Sequence, residues 1–182
     1  MINRIHLLGA SGSGTSTLAR ELARTYGLRH LDTDDYYWLP TEEPFTQCRE
    51  VEERQRLLAE DLLAAPKWVL SGSLCGWGDR FIPLFDLVIF LWLPEEIRMT
   101  RLREREAGRY GQEVEPNGKR YSAYLKFLEW ASHYDGAGVE MRSRALHEEW
   151  LMGLPCPVLR LEGDLSMEEK LATIGRFLDH NR

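Results

Sequence analysis

Short apolar runs alternate along the chain with longer segments in which apolar residues recur every three or four positions. The apolar runs predict strands at Ile5–Leu8, Arg29–Leu31, Trp68–Ser71, Leu87–Leu93 and Val158–Leu161. The helical periodicity predicts helices at Thr15–Tyr26, Arg49–Ala64, Pro94–Ala107, Arg120–Tyr134, Val139–Leu151 and Ser166–Asp179. Because strands that alternate with helices form a mostly parallel sheet covered on both faces, this order predicts a three-layer α/β/α fold with about five strands.

Local sequence signals mark the start of one of these helices and the end of another, and one polar segment interrupts the alternation of strands and helices. The predicted helix that starts at Ser166 has Glu169 three positions later, which is the capping-box pattern. The first helix is followed by Gly27, a residue typical of helix ends. The segment 108–119 is polar and rich in Gly and Pro, so we expect a mobile loop between two helices.

Length, charge and cysteine content narrow the class of protein. The 182 residues predict one domain over 1–182, and the net charge of −6 disfavours a nucleic-acid-binding surface. The longest apolar run, Leu87–Leu93, is too short to span a membrane, and no signal peptide is recognised. Cys48, Cys75 and Cys156 lack metal-ligand spacing and are expected to be free thiols. We expect a cytoplasmic monomer or homodimer with no nucleic-acid or membrane partner.

The strongest chemical signal is a glycine-rich run between the first predicted strand and the first predicted helix. Strand, glycine-rich turn and helix in that order are the context of a phosphate-binding loop. Glycines let successive backbone N–H groups point at one anion, and the helix adds its positive end. The residues expected to bind phosphate, with a hydroxyl for Mg²⁺ near the helix start, are Gly9, Gly12, Ser13, Gly14, Thr15, Ser16 and Thr17.

One residue of this loop departs from the pattern G-x-x-x-x-G-K-[ST]. Thr15 stands where the pattern has Lys, whose ammonium group neutralises charge beside the β- and γ-phosphates during transfer. Threonine offers a hydroxyl and no charge. Either another cation supplies the charge, or transfer is weak, or the site only binds its ligand.

A group of carboxylates follows the second predicted strand. Asp32, Asp34 and Asp35 lie at its carboxyl end, where ligands gather in open α/β sheets. We expect Asp32 to support a metal ion and Asp34 to accept the proton of an attacking hydroxyl. Asp35 is either part of the same site or only a helix cap, since Asp is common in such turns. The aromatic residues that follow either stack on a planar acceptor or belong to the core.

A second charged group lies on the helix that follows Pro94. Arg98, Arg101, Arg105 and Arg109 are spaced by three and four residues, so they share one side of the helix. Arginines bind phosphate oxygens bidentately, and this face is the best substitute for the missing Lys. The alternative is a solvated face with local Glu–Arg pairs. Weaker candidates are Arg142, Arg144, Lys119 and Arg120.

Together, these motifs resemble the adenylate-kinase-like group of P-loop kinases, which includes nucleoside monophosphate kinases and shikimate-kinase-like enzymes of the P-loop NTPase superfamily. Asp32-Thr33-Asp34 is similar to the D-x-D of shikimate kinases, whose second acid contacts the acceptor hydroxyls. Ser71-Gly72-Ser73 falls where those enzymes have a glycine-rich acceptor loop. The resemblance implies that 108–119 is a small lid and that Gly163 lies beside an adenine ring.

The sequence therefore predicts transfer of the γ-phosphoryl group of ATP, with Mg²⁺, to a small-molecule acceptor that is a nucleoside monophosphate or a hydroxyl compound. In this hypothesis Ser16 and Asp32 hold Mg²⁺ and Asp34 positions the acceptor. The transition state is neutralised by Arg101, Arg105 and Arg109. One alternative is a nucleotide-binding regulatory protein with little or no transferase activity, for which Thr15 is the reason. Another is a slow ATPase or GTPase that acts as a switch, although no guanine-reading N-K-x-D motif is present.

Overall fold

The computed structural model describes residues 2–181, which form five strands and seven α-helices. The strands are β1 Arg4–Gly9, β2 Arg29–Asp32, β3 Trp68–Ser71, β4 Leu87–Trp92 and β5 Val158–Glu162. The α-helices are α1 Thr15–Tyr26, α2 Thr33–Tyr37, α3 Val51–Ala64, α4 Glu95–Tyr110, α5 Tyr121–Ser132, α6 Arg144–Met152 and α7 Met167–His180. Short 3₁₀ helices lie at Asp79–Leu84, Gly111–Val114 and His133–Asp135.

All five strands belong to one parallel sheet, in the order β2-β3-β1-β4-β5. The central strand β1 pairs with β3 on one side and β4 on the other, so that Leu7 lies between Ser71 and Ile89. The chain runs from β1 to the β2 side of the sheet and later crosses to β4. This reversal opens a crevice at the carboxyl end of β1, which is where open α/β sheets bind ligands.

Each face of the sheet has its own apolar layer. Ile5 and Leu7 of β1 face α1 and α7, with Leu22 and Ile174 fully buried against them. Leu8 belongs to the opposite layer, which contacts α3 and α6. This alternation follows from the two-residue period of a strand and confirms the predicted three-layer α/β/α fold. Within residues 2–181, no helix has both the length and the apolar character needed to cross a bilayer.

The predicted elements are correct in type, and the main differences lie at their ends. Helix α6 begins at Arg144 rather than Val139 because Ser143 is its N-cap, accepting a hydrogen bond from the Leu146 N–H at 3.0 Å. Helix α2 was not predicted. It follows β2 directly, and Asp32 caps it by accepting from the Asp34 N–H at 3.1 Å. The capping role considered for Asp35 therefore belongs to Asp32.

The segment 108–119 is more regular than the mobile loop expected from its composition. Helix α4 continues to Tyr110, and a 3₁₀ helix occupies Gly111–Val114. The Glu113 carboxylate accepts from Arg120 at 3.0 Å and pairs with Lys119 at 3.1 Å, which ties the end of the segment back to its middle. These local bonds, which a composition-based prediction does not include, close the segment into a compact turn.

One member of the predicted arginine face is structural. Arg98 is fully buried, and its guanidinium donates to the Leu93 and Ala131 carbonyls at 3.2 and 3.3 Å and to Asp135 Oδ2 at 2.6 Å. The same group lies 5.1 Å from the centre of the Tyr134 ring. Arg98 therefore joins α4 to the end of α5 and is not available to a ligand.

We expect Arg98→Ala to lower the free energy of unfolding by about 3 kcal/mol, because it leaves the Asp135 carboxylate and two carbonyls without their donor. Arg103→Ala, at an exposed position of the same helix, is the matched control and should change stability by less than about 0.5 kcal/mol. Urea unfolding of the two variants provides the measurement. Equal stabilities would contradict the structural role assigned to Arg98.

Candidate functional site

The predicted phosphate loop connects β1 to α1 at the carboxyl edge of the sheet. Gly12 and Gly14 have positive φ angles of 82° and 92°, in the left-handed region that favours glycine. The loop leads directly into α1, which starts at Thr15 with Gly14 as its N-cap residue. Backbone N–H groups of the loop and of the first helical turn thus converge on one side, as an anion site requires.

Neighbouring elements hold one side of the loop, and the other side is open. A Cβ atom on Gly12 would lie 2.8 Å from the Arg98 carbonyl and 3.1 Å from Leu102 Cγ, so the loop is pressed against α4. Gly9 leaves no room for a side chain either, because Ser13 Oγ lies 2.7 Å from the position of its Cβ. At Gly14, by contrast, nothing lies within 4 Å of that position. A ligand therefore has access at the helix start.

Ser13 carries the one unsatisfied polar group of the loop. Its side chain is fully buried, and its Oγ has no hydrogen-bond partner. A buried hydroxyl without a partner costs free energy, and an anion seated in the loop would offer an acceptor. The loop thus fits a phosphate group on an observation independent of the motif.

The predicted metal residues Ser16 and Asp32 are in direct contact. Ser16 Oγ donates to Asp32 Oδ2 at 2.6 Å, and Ser71 Oγ donates to the same oxygen at 2.8 Å. Hydroxyl and carboxylate oxygens are the ligands that Mg²⁺ takes, directly or through water. Thr17 is exposed on the first turn of α1, so Ser16 is the hydroxyl that fits a metal ion.

A histidine missed by the sequence analysis adjoins this pair. His30 on β2 places Nε2 3.0 Å from Ser71 Oγ. Burial lowers the pKa of His30, and the neighbouring Asp32 carboxylate partly opposes this effect. No pattern along the chain indicates this contact, because His30 and Ser71 are brought together only by the pairing of β2 with β3.

Asp34, the predicted proton acceptor, points into the cleft from α2. The residue is exposed, and its backbone carbonyl accepts from the Trp38 N–H at 3.2 Å. Desolvation by the surrounding protein raises the pKa of Asp34, and the nearby Asp32 carboxylate raises it further. Arg142 and Arg105 oppose this rise, so both guanidinium groups lie within electrostatic reach of the carboxylate.

Aromatic rings and one arginine form the wall of the cleft beside Asp34. The Arg54 guanidinium lies 3.9 Å from the centre of the Tyr37 ring and 6.0 Å from that of Trp77. The centroid of the Phe45 ring lies 5.9 Å from that of the Trp38 ring. The backbone of Phe45 has a positive φ of 64°. The sequence left open whether the aromatic residues after Asp35 stack on an acceptor or belong to the core. Tyr37 and Trp38 are partly exposed, whereas Trp77 is buried.

The predicted arginine clamp is divided among separate partners. Arg101 pairs with Asp164 at 2.8 Å, next to Gly163, and Arg105 pairs with Glu106 at 2.8 Å. Arg109 lies 5.4 Å from the centre of the Phe45 ring. These three groups are exposed or half-exposed, and among them Arg105 is the one whose charge lowers the pKa of Asp34. Local Glu–Arg pairing, the alternative considered for this face, thus describes part of it.

Gly163, which the resemblance implies beside an adenine ring, lies in the turn that follows β5. It follows β5 with a positive φ of 88°, and its N–H donates to the Trp92 carbonyl at 3.0 Å. No atom lies within 4 Å of the position that its Cβ would occupy. The turn therefore presents open backbone between α4 and α7, at the same edge of the sheet as the phosphate loop.

A buried network supports the far side of the cleft. His147 on α6 contacts Ser73 Oγ at 3.2 Å through Nε2 and the Tyr134 hydroxyl at 2.8 Å through Nδ1. Burial lowers the pKa of His147 to about 3, with a further contribution from Arg142, so the ring is neutral. The network fixes the loop after β3 against α6. Arg142, ranked low from sequence, carries a charge that lowers the pKa of Asp34.

Comparisons with known proteins agree with this geometry. A family model described as an AAA domain matches residues 5–123, which is more than half of the chain. The uncharacterized protein YqaC of Bacillus subtilis (strain 168) is 52% identical over 181 residues and is covered completely, as is this chain. The cytidylate kinase of Thermococcus sibiricus is 32% identical over 116 residues, which span 56% of each protein.

Solved structures share the fold at low sequence identity. A shikimate kinase from Acinetobacter baumannii in complex with shikimate superposes with a TM-score of 0.55 at 18% identity, covering 100% of this chain and 96% of that one. A sugar kinase from Janibacter sp. HTCC2649 gives a TM-score of 0.53 at 16% identity, with coverages of 98% and 95%. The chain therefore belongs to the AAA domain family, and it shares its fold with the shikimate kinases.

Proposed function

We propose that the protein transfers the γ-phosphoryl group of ATP to a small-molecule acceptor. The observation that carries the proposal is the 2.6 Å contact between Ser16 Oγ and Asp32 Oδ2, at the start of the helix that follows the phosphate loop. Asp34, two residues further on, faces the cleft with a raised pKa. A metal-binding pair beside a proton acceptor is the arrangement that phosphoryl transfer needs.

The phosphate loop binds the nucleotide. Backbone N–H groups from Gly12 to Ser16 donate to the phosphate oxygens, and the unpartnered Ser13 hydroxyl gains an acceptor. The Ser16 hydroxyl and the Asp32 carboxylate would hold Mg²⁺, which when bound would supply neutralisation of the phosphate charge. Among the described residues no cluster of three or more His, Cys, Asp or Glu side chains forms a rival metal site.

Asp34 orients the acceptor and takes its proton. The acceptor oxygen attacks the γ-phosphorus, and the bond from the γ-phosphorus to the β–γ bridging oxygen breaks to release ADP. Where the acceptor is a hydroxyl compound, or a monophosphate in its monoanionic form, the proton on the acceptor passes to an Asp34 carboxylate oxygen. Arg105 and Arg142 face the same carboxylate and offer positive charge to the equatorial oxygens of the transferring group.

The wall of the cleft favours a planar, anionic acceptor. Tyr37 and Trp38 offer partly exposed ring faces, and the Arg54 guanidinium is stacked on Tyr37. Nucleoside monophosphates combine a flat base with a phosphate that Arg142 can bind. The names of the cytidylate kinases that match over part of the chain support this class over a non-aromatic hydroxyl compound.

A second function, binding of nucleotide without transfer, is favoured by one observation. Thr15 provides no charge at the position where related loops have Lys, and Arg101 and Arg105 are paired with Asp164 and Glu106. The arginines must leave these carboxylates to reach the phosphates. The Arg101–Asp164 pair is exposed and worth little free energy, so a polyphosphate would compete with it. The Arg105–Glu106 pair is more strongly held, because the Glu106 carboxylate is buried.

The first experiment is calorimetric titration with Mg·ATP, followed by an ADP-release assay with nucleoside monophosphates and with hydroxyl compounds. Micromolar binding together with acceptor-dependent ADP release would support the kinase. Binding without ADP release from any acceptor would support the regulatory alternative. No binding up to millimolar ATP would contradict both.

Thr15→Lys distinguishes slow transfer from none. We expect the substitution to raise the rate of phosphoryl transfer about tenfold or more, because the ammonium group adds charge where the transition state is most negative. Thr15→Gln, similar in length but uncharged, is the control and should not accelerate transfer. Single-turnover rates measured with bound Mg·ATP provide the test. Transfer that occurs only in the Lys variant would indicate that the natural protein is a binding protein.

We expect Asp34→Asn to lower turnover about a hundredfold or more while leaving Mg·ATP affinity within about twofold, because it removes the proton acceptor but no phosphate contact. The raised pKa of Asp34 means that the folded state favours its neutral form. Its contribution to stability is therefore present at low pH and lost as pH rises through that pKa. At pH 7 the Asn variant should be at least as stable as the natural protein.

The pH profile of turnover provides a second test of Asp34. Since the carboxylate must be ionised to accept a proton, activity should fall on acidification at a pH above the ordinary range of an Asp. Asp35→Asn is the control, at the neighbouring position. A loss of turnover in that variant equal to the loss in Asp34→Asn would contradict the assignment.

We expect Arg105→Ala to reduce turnover at least about tenfold with little change in ATP affinity, because its charge is needed mainly in the transition state. Arg103→Ala, on the opposite side of the same helix, is the control. Initial rates and calorimetric affinities measured on both variants separate the two effects. Equal losses in rate and affinity would contradict a role in the transition state.

A further inference from the structure

We propose that His30 is a positioning residue that holds the Ser71 hydroxyl on Asp32 and thereby sets how strongly Mg²⁺ supports nucleotide binding. This inference rests on the proposed function, since it concerns Ser16 and Asp32, the two residues proposed to hold Mg²⁺. It adds a residue on the outermost strand, β2, to a site otherwise built from the phosphate loop and the end of that strand.

The direction of each hydrogen bond follows from a count of protons. An ionised carboxylate only accepts, so Ser71, with one hydroxyl proton, donates it to Asp32 Oδ2 at 2.8 Å. The contact of 3.0 Å between Ser71 Oγ and His30 Nε2 then requires a proton on the nitrogen. His30 is thus the donor, Ser71 the relay and Asp32 the acceptor.

The hydrogen bond from His30 determines toward which of two acceptors the Ser71 hydroxyl proton points. Ser71 Oγ also lies 3.4 Å from the Leu31 carbonyl, which is a second possible acceptor. While His30 donates to Ser71 Oγ, it occupies one lone pair and favours the rotamer that directs the proton to Asp32. Without His30, the hydroxyl is free to turn, and Asp32 Oδ2 keeps only the bond from Ser16.

Fixing Asp32 matters because the carboxylate is shared by three elements. Oδ2 accepts from Ser16 on α1 and Ser71 on β3, while Oδ1 accepts from the N–H of Asp34 on α2. A carboxylate that must hold a metal ion, or its water, binds more strongly when its orientation is set before the ion arrives. Partners that orient metal-binding side chains typically contribute about tenfold or more in metal affinity.

His30 is accessible from outside the nucleotide site. It lines a cavity of about 410 Å³ on the β2 edge, together with Asp35, Asp61 and Arg29. Asp35 from α2 and Arg20 from α1 are the further charged groups that act on the ring, besides Asp32. The cavity is large enough to admit a free imidazole molecule, which makes chemical rescue of a truncated side chain feasible.

The experiment compares ADP affinity with Mg²⁺ and with EDTA, by calorimetry, so that no turnover is required. We expect His30→Phe to reduce the gain in affinity due to Mg²⁺ about tenfold and to leave metal-free ADP binding within about twofold. His30→Gln, which keeps a donor at a similar reach, should retain most of the gain. His133→Phe, at an exposed position far along the chain, is the matched control.

Two further variants separate positioning from a general structural role. His30→Ala should lose the Mg²⁺-dependent gain and recover at least part of it when imidazole is added. Ser71→Ala should lose the gain and not recover with imidazole, because the relay hydroxyl is absent. The double substitution His30→Phe with Ser71→Ala should cost no more than Ser71→Ala alone, since both act through one contact.

The possible failures are distinguishable. If the natural protein gains no ADP affinity from Mg²⁺, the metal site of the proposed function is wrong, and this inference is overturned with it. If the natural protein shows the gain and His30→Phe keeps it, only the inference is overturned. Equal weakening with Mg²⁺ and with EDTA, accompanied by a lower unfolding temperature, would also overturn it, because His30 would then be structural.

Discussion

The hydrogen bonds accepted by the Asp32 carboxylate are the interactions on which both the fold and the candidate site depend. It accepts hydrogen bonds from Ser16 on α1, from Ser71 on β3 and from the backbone of Asp34 on α2. These bonds join the helix of the phosphate loop to the two strands at one end of the sheet. Because a partly buried carboxylate is tolerated only when such donors surround it, the metal pair and the local packing are stabilised together.

Helix α4 imposes the second constraint, from the opposite side. Its backbone at Arg98 touches the phosphate loop so closely that Gly12 has no room for a side chain. The buried Arg98 guanidinium in turn fixes α4 to the end of α5. The loop is thus held between the metal pair and a helix whose outer arginines reach the cleft. A loop fixed on one side by α4, with arginine side chains on the outer face of that helix, is compatible with a site that closes on its ligand.

Position 15 holds Thr rather than Lys, and the positive charge near Asp34 lies on arginines of other elements. Arg105 and Arg142 both lower the pKa of Asp34, although Asp32 and desolvation outweigh them. Charge that a loop lysine would place beside the phosphates instead lies on α4 and just before α6. Since α4 packs tightly against the loop at Gly12, Arg105 can approach a ligand only by rotation of its own side chain.

The sequence by itself determined the strand and helix order and the glycine-rich loop between β1 and α1, because each depends on local periodicity or on neighbours along the chain. The roles assigned to Ser16, Asp32 and Asp34 stay predictions. Only the tertiary structure decided which arginines reach the cleft, burying Arg98 and bringing Arg142 opposite Asp34. It also joined His30 to Ser71 across two strands. Helical spacing gives the side of a helix, but packing against other elements decides whether that side meets protein, ligand or solvent.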